Sequence, residues 1–221
     1  MNLKHLIHNI HNLELKKEEI HLWFVNLNSK EFSIINYFPN SLEEDRIKKL
    51  NSMCNKLLFI NRRKFLKLLI SKYEKKDLME IQINSNKNGK EEIKINGQAS
   101  TLNFSLSKSG NILAISFSYN KFLGIDIEKE DPNIIEDINQ FFNPFDKRYF
   151  FQKWTEYEAL LKALGKGIPN LPYDNPSTFK KLAKYYKNPN VFKLYFRPFP
   201  SYFCSLITSS FRCIKFFHLV D

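Results

Sequence analysis

Cysteine is scarce in this chain. Cys54, Cys204 and Cys213 are the only three among 221 residues, they are odd in number, and none is spaced as CxxC. A disulfide framework and a zinc site are therefore not expected, and a reducing compartment fits best. Glycine is also sparse, at 6 residues, a bias that carries no functional reading. No apolar run approaches the ~18 residues needed to span a bilayer; the stretch around Leu66–Ile70 is among the longest. The first residues alternate Leu, His, Asn and Lys without an apolar h-region, so no signal peptide is expected. Together these absences lead us to expect a cytoplasmic protein without a membrane span. Internal repeats and low-complexity linkers are missing too.

What is present argues for a packed globule. The chain is 43% hydrophobic and 26% charged, and 21 phenylalanines dominate its aromatic residues, a balance that can bury a core rather than stay disordered. Its length suits one large domain or two small ones sharing an interface. The net charge of +11 favours anionic partners, among them nucleic acid, phosphorylated cofactors, acidic proteins and membrane surfaces. Charge alone does not choose among these, and scattered lysines also serve simply as solvated faces.

Local patterns give a mixed order of elements, for which α+β is the expected class. His5, His8 and His11 could align on an N-terminal helix, but without Cys or a carboxylate they read as a surface arm rather than a metal site. His21–Leu27 reads as a strand. Ser41 and Glu44 have the spacing of a capping box ahead of a helix carrying Ile47, Leu50, Cys54, Leu57 and Leu58. A second helix is expected over Asn61–Tyr73, with Arg62, Arg63 and Lys64 at its start, where the helix dipole favours anions. Asn88-Gly89 and Asn96-Gly97 each suggest a tight turn. Strands are expected over Leu102–Ser107, Ile112–Tyr119, Phe122–Glu128, Val191–Phe196 and Tyr202–Phe217, with Ser107–Gly110 as a connecting loop. Phe145–Leu164 has the best helical period in the chain, and Gly165 is placed to cap it.

Two segments carry chemistry. In Gly124-Ile125-Asp126-Ile127-Glu128 the two acids fall on one strand face and the two isoleucines on the other. Adjacent carboxylates repel unless a cation neutralises them, and Mg²⁺, which uses one or two carboxylates and fills its shell with waters and substrate phosphates, would do so economically. Taken alone, the segment reads equally as an edge strand with two solvated acids. In the second segment, Trp154 to Gly167, Glu158 and Lys162 are i, i+4 neighbours on a face that differs from the apolar stripe of Trp154, Leu161 and Leu164. Alone, such a pair is an ordinary surface ion pair; bordering the core, it would be available at a cleft.

Taken together, GIDIE followed after about thirty residues by WTEYEALLKALGKG closely resembles the signature of the 4'-phosphopantetheinyl transferase superfamily, roughly (I/V)G(I/V)D(I/V)E then W(S/T/A)xKEAxxKxxGxG. Upstream, Phe104–Gly110 resembles the family's FNxSHSG, and Asn61–Leu66 resembles its arginine-rich helix start. The likeness touches residues 41 to 168, and the length resembles the larger, monomeric (Sfp-type) branch. The resemblance implies two similar α/β subdomains related by a pseudo-twofold, residues 1–121 and 122–221, with coenzyme A in the cleft between them. It implies Asp126, Glu128 and Glu158 as Mg²⁺ ligands and Glu158 as the general base. Lys162 would contact and neutralise phosphate, and Lys48, Arg63, Ser107 and Lys108 would be further coenzyme contacts. The implied partner is an acidic acyl or peptidyl carrier protein, with no nucleic acid. Phe141-Phe142 reads either as part of its landing surface or as core packing.

This sequence departs from the pattern at three places. Lys108 stands where the family usually has His, Tyr157 where it has Lys, and Glu91 where a Gly-Lys-Pro turn would have proline. These put phosphate-binding detail and carrier preference in question and leave the acids untouched. Two other readings of the sequence are a basic nucleic-acid-binding protein, although no helix-turn-helix, zinc-finger or RNP pattern is present, and a relative that binds coenzyme A or carriers without catalysis.

Overall fold

A computed structural model describes residues 13–86, 90–131, 149–165 and 188–219. The expectations placed on His5, His8, His11, Asn88-Gly89, Phe141-Phe142, the helix start at Phe145 and the Gly167 end of the second segment lie outside those residues. Among the described residues there are ten strands and three α-helices, in an α+β arrangement.

Strand β1 (Glu19–Asn26) is buried along almost its whole length because both of its faces are covered. It lies inside a four-stranded sheet of order β10-β1-β6-β5, with β5 spanning Asn103–Ser109, β6 Ile112–Ser118 and β10 Cys213–Leu219. β1 pairs antiparallel with β6 and parallel with β10. Odd-numbered residues of β1 and β6, including Trp23, Val25, Leu113, Ile115 and Phe117, form one core with Phe65, Leu66, Leu69 and Ile70 of helix α2 (Met53–Glu74). Even-numbered residues, including Leu22, Phe24 and Ala114, form a second core with a sheet of order β7-β9-β8, in which β7 is Leu123–Lys129, β9 Tyr202–Thr208 and β8 Phe192–Phe196. The far side of that second sheet carries helix α3 (Phe150–Ala163), whose Ala159, Leu160 and Leu161 pack with Ile207. The layers thus run helix, sheet, sheet, helix, and β1, β6, β7 and β9 are buried on both faces for that reason. A small sheet of β2 (Ile81–Ser85), β3 (Glu91–Ile95) and β4 (Gln98–Ala99) adds Ile81, Ile83 and Ile93 to the first core.

Most of the expected elements form with displaced bounds, and one expected loop is strand. Helix α1 (Ser41–Lys49) has a capping box, but its N-cap is Asn40, not Ser41: Asn40 Oδ1 accepts from the Glu43 amide at 2.9 Å and Glu43 Oε2 accepts from the Asn40 amide at 3.1 Å. Asn40 is still extended (φ −81°, ψ 171°), so its short side chain can reach the third helical residue. The break between the helices falls at residues 50–52, and α2 begins at Met53 rather than Asn61. Arg62, Arg63 and Lys64 therefore sit in mid-helix, where backbone amides are already bonded and the dipole argument does not apply. The predicted loop at Ser107 is strand, with β5 and β6 paired as far as Ser109 opposite Ile112 and the turn made at Gly110 (φ +57°). The single strand expected over Tyr202–Phe217 is two, assigned to different sheets. The Asn120 amide holds the turn between them, donating to Ser209 Oγ at 3.0 Å and Ser210 Oγ at 3.1 Å. Asn96-Gly97 makes its expected turn, with both residues at positive φ (50° and 82°).

Candidate active site

The site is built where β5, β7 and α3 meet. Isoleucines 125 and 127 of β7 face the core between the sheets, so Gly124, Asp126 and Glu128 face the other way, toward α3. Gly124 sets how close the helix comes: a Cβ there would stand 1.9 Å from the Ala159 carbonyl oxygen and 2.6 Å from the Ala163 amide nitrogen. Only a residue without a side chain allows that approach. α3 is also pinned to β9 by Thr155 Oγ1 and Ser205 Oγ, 2.7 Å apart, and ends at Gly165 (φ +66°), whose amide donates to the Lys162 carbonyl at 3.0 Å.

Asp126 is fully buried. Its Oδ1 accepts from Lys162 Nζ at 2.6 Å and from Ser107 Oγ at 2.6 Å, while its Oδ2 has no hydrogen-bond partner. Lys162 Nζ also stands 4.0 Å from Glu158 Oε2, one turn back along the helix. Glu158 is buried and abuts the Asp126 carboxyl. Burial, then the neighbouring Asp126 charge, raises its pKa to about 8 against the opposing pull of Lys162. Glu128 is raised to about 7, again by burial first and Asp126 second, with a hydrogen bond from Ser109 Oγ at 2.7 Å working the other way. Among the described residues Lys162 is the ammonium in contact with Asp126 and near Glu158, while Lys162 and Lys108 act on Glu128, so three carboxyl groups face two ammonium groups.

Among the described residues no three His, Cys, Asp or Glu side chains are already gathered as a metal cage. The donor chemistry nevertheless suits a hard divalent ion: the set is all oxygen, Asp126 Oδ2 is buried without a hydrogen-bond partner, and burial together with the Asp126 charge pushes the Glu128 and Glu158 carboxyls up. The residues present fit Mg²⁺.

The structure brings together Asp126, Glu128, Glu158, Lys162 and Ser107 of the residues singled out from the sequence. Lys108 points off the other face of β5, where its Nζ donates to the Gly110 carbonyl at 2.9 Å. Lys48 is on the exposed face of α1, 3.8 Å from Asp45. Arg63 is buried between Glu43 and Glu91. Tyr157, where the signature has Lys, is buried against the apolar residues of α3 and β9.

Sequence reasoning missed the serines flanking Ser107. Ser105 Oγ accepts from the Ile125 amide at 3.1 Å, and Ser109 Oγ accepts from the Lys129 amide at 2.9 Å while donating to Glu128. Alternate serines of β5 thus fasten it along β7 and aim both acids. The signal was available in the i, i+2 spacing of Ser105, Ser107 and Ser109, which alternate with Phe104, Leu106 and Lys108.

Such an arrangement, a buried carboxylate held by an ammonium beside two acids that take up protons near neutrality, defines a site for charged, proton-exchanging chemistry. No family model matches the chain. It is 28% identical over 177 residues to the 4'-phosphopantetheinyl transferase HetI of Nostoc sp. strain PCC 7120, covering 72% of this chain and 74% of that protein. It is 31% identical over 86 residues to a 4'-phosphopantetheinyl transferase of Bacillus subtilis, covering 34% of this chain and 38% of that one. Both likenesses are to 4'-phosphopantetheinyl transferases, the first of them over most of either chain.

Proposed function

We propose that this protein transfers the 4'-phosphopantetheine arm of coenzyme A to a serine hydroxyl of an apo carrier protein, releasing 3',5'-ADP. The observation that carries the reading is the Asp126–Lys162–Glu158 constellation, with Glu128 beside it, in a chain whose relatives bear that activity in their names. The serine oxygen bonds to the β-phosphorus of coenzyme A, and the bond from that phosphorus to the oxygen bridging to 3',5'-ADP breaks. Glu158, buried beside Asp126 and 4.0 Å from Lys162 Nζ, accepts the serine proton on its carboxylate. Lys162 donates hydrogen bonds to phosphate oxygens as negative charge builds on the leaving group. Asp126, Glu128 and Glu158 would hold Mg²⁺, which supplies charge neutralisation and orientation of the diphosphate. Ser107 and Ser109 keep two of these carboxylates in place.

Further parts of the reading follow from the family. Residues 1–121 and 122–221 would be the two halves related by a pseudo-twofold, with coenzyme A in the cleft, although strand β10 returns to pair with β1. The net charge of +11 suits an acidic carrier through electrostatic complementarity. We take the protein to act as a cytoplasmic monomer of the larger branch. The test is direct: apo carrier incubated with the protein, coenzyme A and Mg²⁺ should gain the mass of a phosphopantetheine arm, and unmodified carrier across a panel of acyl and peptidyl carriers would refute the assignment.

The metal reading has its own test. Glu128 and Glu158 have folded pKa values above the unfolded value, so their protonated forms stabilise the metal-free fold fully below about pH 4.5, and that contribution is lost as pH rises through about 7 to 8. Mg²⁺ binding requires the deprotonated acids and so gains in the same window. Millimolar Mg²⁺ should raise the melting temperature by several degrees at pH 8.5 and leave it unchanged at pH 5.5. An equal response at both pH values, or none, removes these acids as ligands.

A further inference from the structure

A second buried gathering of charge lies on α2. Arg63 and Lys67 are 7% and 5% exposed, and Arg62 is adjacent. Two acids face them. Lys67 Nζ donates to Glu43 Oε2 at 2.9 Å, Arg63 Nη2 donates to Glu91 Oε1, and Arg62 Nη2 stands 3.9 Å from that same oxygen. Three cations against two carboxylates leave an excess of positive charge. Donors are in excess too: Arg63 Nε stands 3.5 Å from Glu43 Oε1, while Arg62 Nε and Arg63 Nη1 are buried without hydrogen-bond partners. Such a set lacks an anion with several acceptor oxygens.

Its position relates it to the candidate active site. Glu91 opens β3 and follows Lys90, whose Cδ lies 3.5 Å from where a Cβ on Gly165 would stand. Gly165 ends the helix that carries Glu158 and Lys162. The start of β3 therefore reaches from the guanidinium pair to the end of that helix.

We propose that Glu91 is a specificity-determining residue, an internal counter-anion seated on Arg62 and Arg63 that a phosphate group of coenzyme A must displace in order to bind. The proposal rests on the transferase reading above. Carboxylate and phosphate compete for the same planar guanidinium donors. A phosphate brings more charge and more acceptors, enough to reach Arg62 Nε and Arg63 Nη1 as well as the Nη2 that Glu91 now holds. A ligand without a phosphate at this point leaves Glu91 where it is. The residue thus lowers affinity for the coenzyme and makes that affinity depend on the displacing group.

Calorimetric titration with coenzyme A and with 3'-dephospho-coenzyme A, without carrier, tests this. Glu91→Gln should bind coenzyme A about tenfold tighter than the parent protein, the scale of one hydrogen bond to a charged group. If the 3'-phosphate is the displacing group, the dephospho compound gains nothing; if the diphosphate is, both ligands gain alike. Either pattern supports the proposal. Unchanged or weaker binding of both ligands to a variant with a cooperative melting curve overturns it and leaves the transferase reading standing. Failure of the parent protein to bind coenzyme A at all overturns both. Should the glutamine variant not fold, Glu91→Asp, which draws the charge back by one methylene, should bind coenzyme A about twofold tighter, a partial loss of the same interaction. No gain in that variant overturns the proposal equally.

Discussion

Glu158→Gln should reduce phosphopantetheine transfer by about a thousandfold or more, the scale of a lost general base with a disturbed metal site added, while leaving the fold as stable as before or more so at pH 8. The two halves of this expectation have one cause. Glu158 is buried beside the fully buried Asp126, and burial and that neighbouring charge raise its pKa to about 8. Ionising it as the pH rises costs the folded state free energy. A glutamine of the same shape removes that cost and removes the proposed base in the same step. Lys162→Met should behave in the opposite way on stability. It takes the Lys162 ammonium from Asp126 Oδ1 and leaves that buried carboxyl, among the described residues, with Ser107 as its side-chain donor, so both transfer and melting temperature should fall. Single-turnover carrier labelling followed by mass spectrometry, beside a pH series of melting curves, checks both. Labelling by Glu158→Gln at the parent rate ends the assignment of the base, and a lower melting temperature for that variant at pH 8 contradicts the electrostatic account.

Much of the candidate site was legible because two different periods point at it. The i, i+2 repeat put Asp126 and Glu128 on one side of a strand, and the i, i+4 repeat put Glu158 beside Lys162. Both are consequences of local backbone geometry, so they survive folding. The fold class was legible for the same reason. What escaped was decided by tertiary contact. Arg63 looked like an exposed cation at a helix start, yet the preceding turns of α2 and the carboxylates of Glu43 and Glu91 enclose it; no local pattern announces a counter-ion 28 residues away. Lys108 and Ser107 are neighbours in sequence, but a strand sends them to opposite faces, so only the serine meets an acid. Tyr157, a departure from the signature, proved to be a core residue of α3. The capping box slipped by one residue because Asn40 and Ser41 can both cap, and the buried Glu43, which also holds Lys67, settles the choice.

Gly124→Ala should lower the melting temperature by roughly 5 °C or more and depress transfer with it, although the added group is a single methyl. Helix interiors and strands ordinarily tolerate this change, and at an unstrained position alanine stabilises by restricting the unfolded chain. Here the methyl would meet backbone on two sides, 1.9 Å from the Ala159 carbonyl oxygen and 2.6 Å from the Ala163 amide. No side chain can rotate away to admit it, so α3 must lift from β7. Overpacking of this kind costs about 1–3 kcal/mol or more, which for a chain of this size corresponds to roughly 2–4 °C per kcal/mol. The functional loss follows from the same displacement. Lys162 Nζ reaches Asp126 Oδ1 at 2.6 Å only because the helix lies directly on the strand, and a shift of about 1 Å in catalytic groups can cost on the order of a hundredfold in rate. Gly124→Ala should therefore lose more transfer activity than its stability loss explains at temperatures where it remains folded, and should respond less to Mg²⁺ at pH 8.5 than the parent. A variant with parental melting temperature and parental labelling rate would show that the helix does not rest on Gly124, and with it would go the account of how Glu158 and Lys162 are brought to the acids of β7.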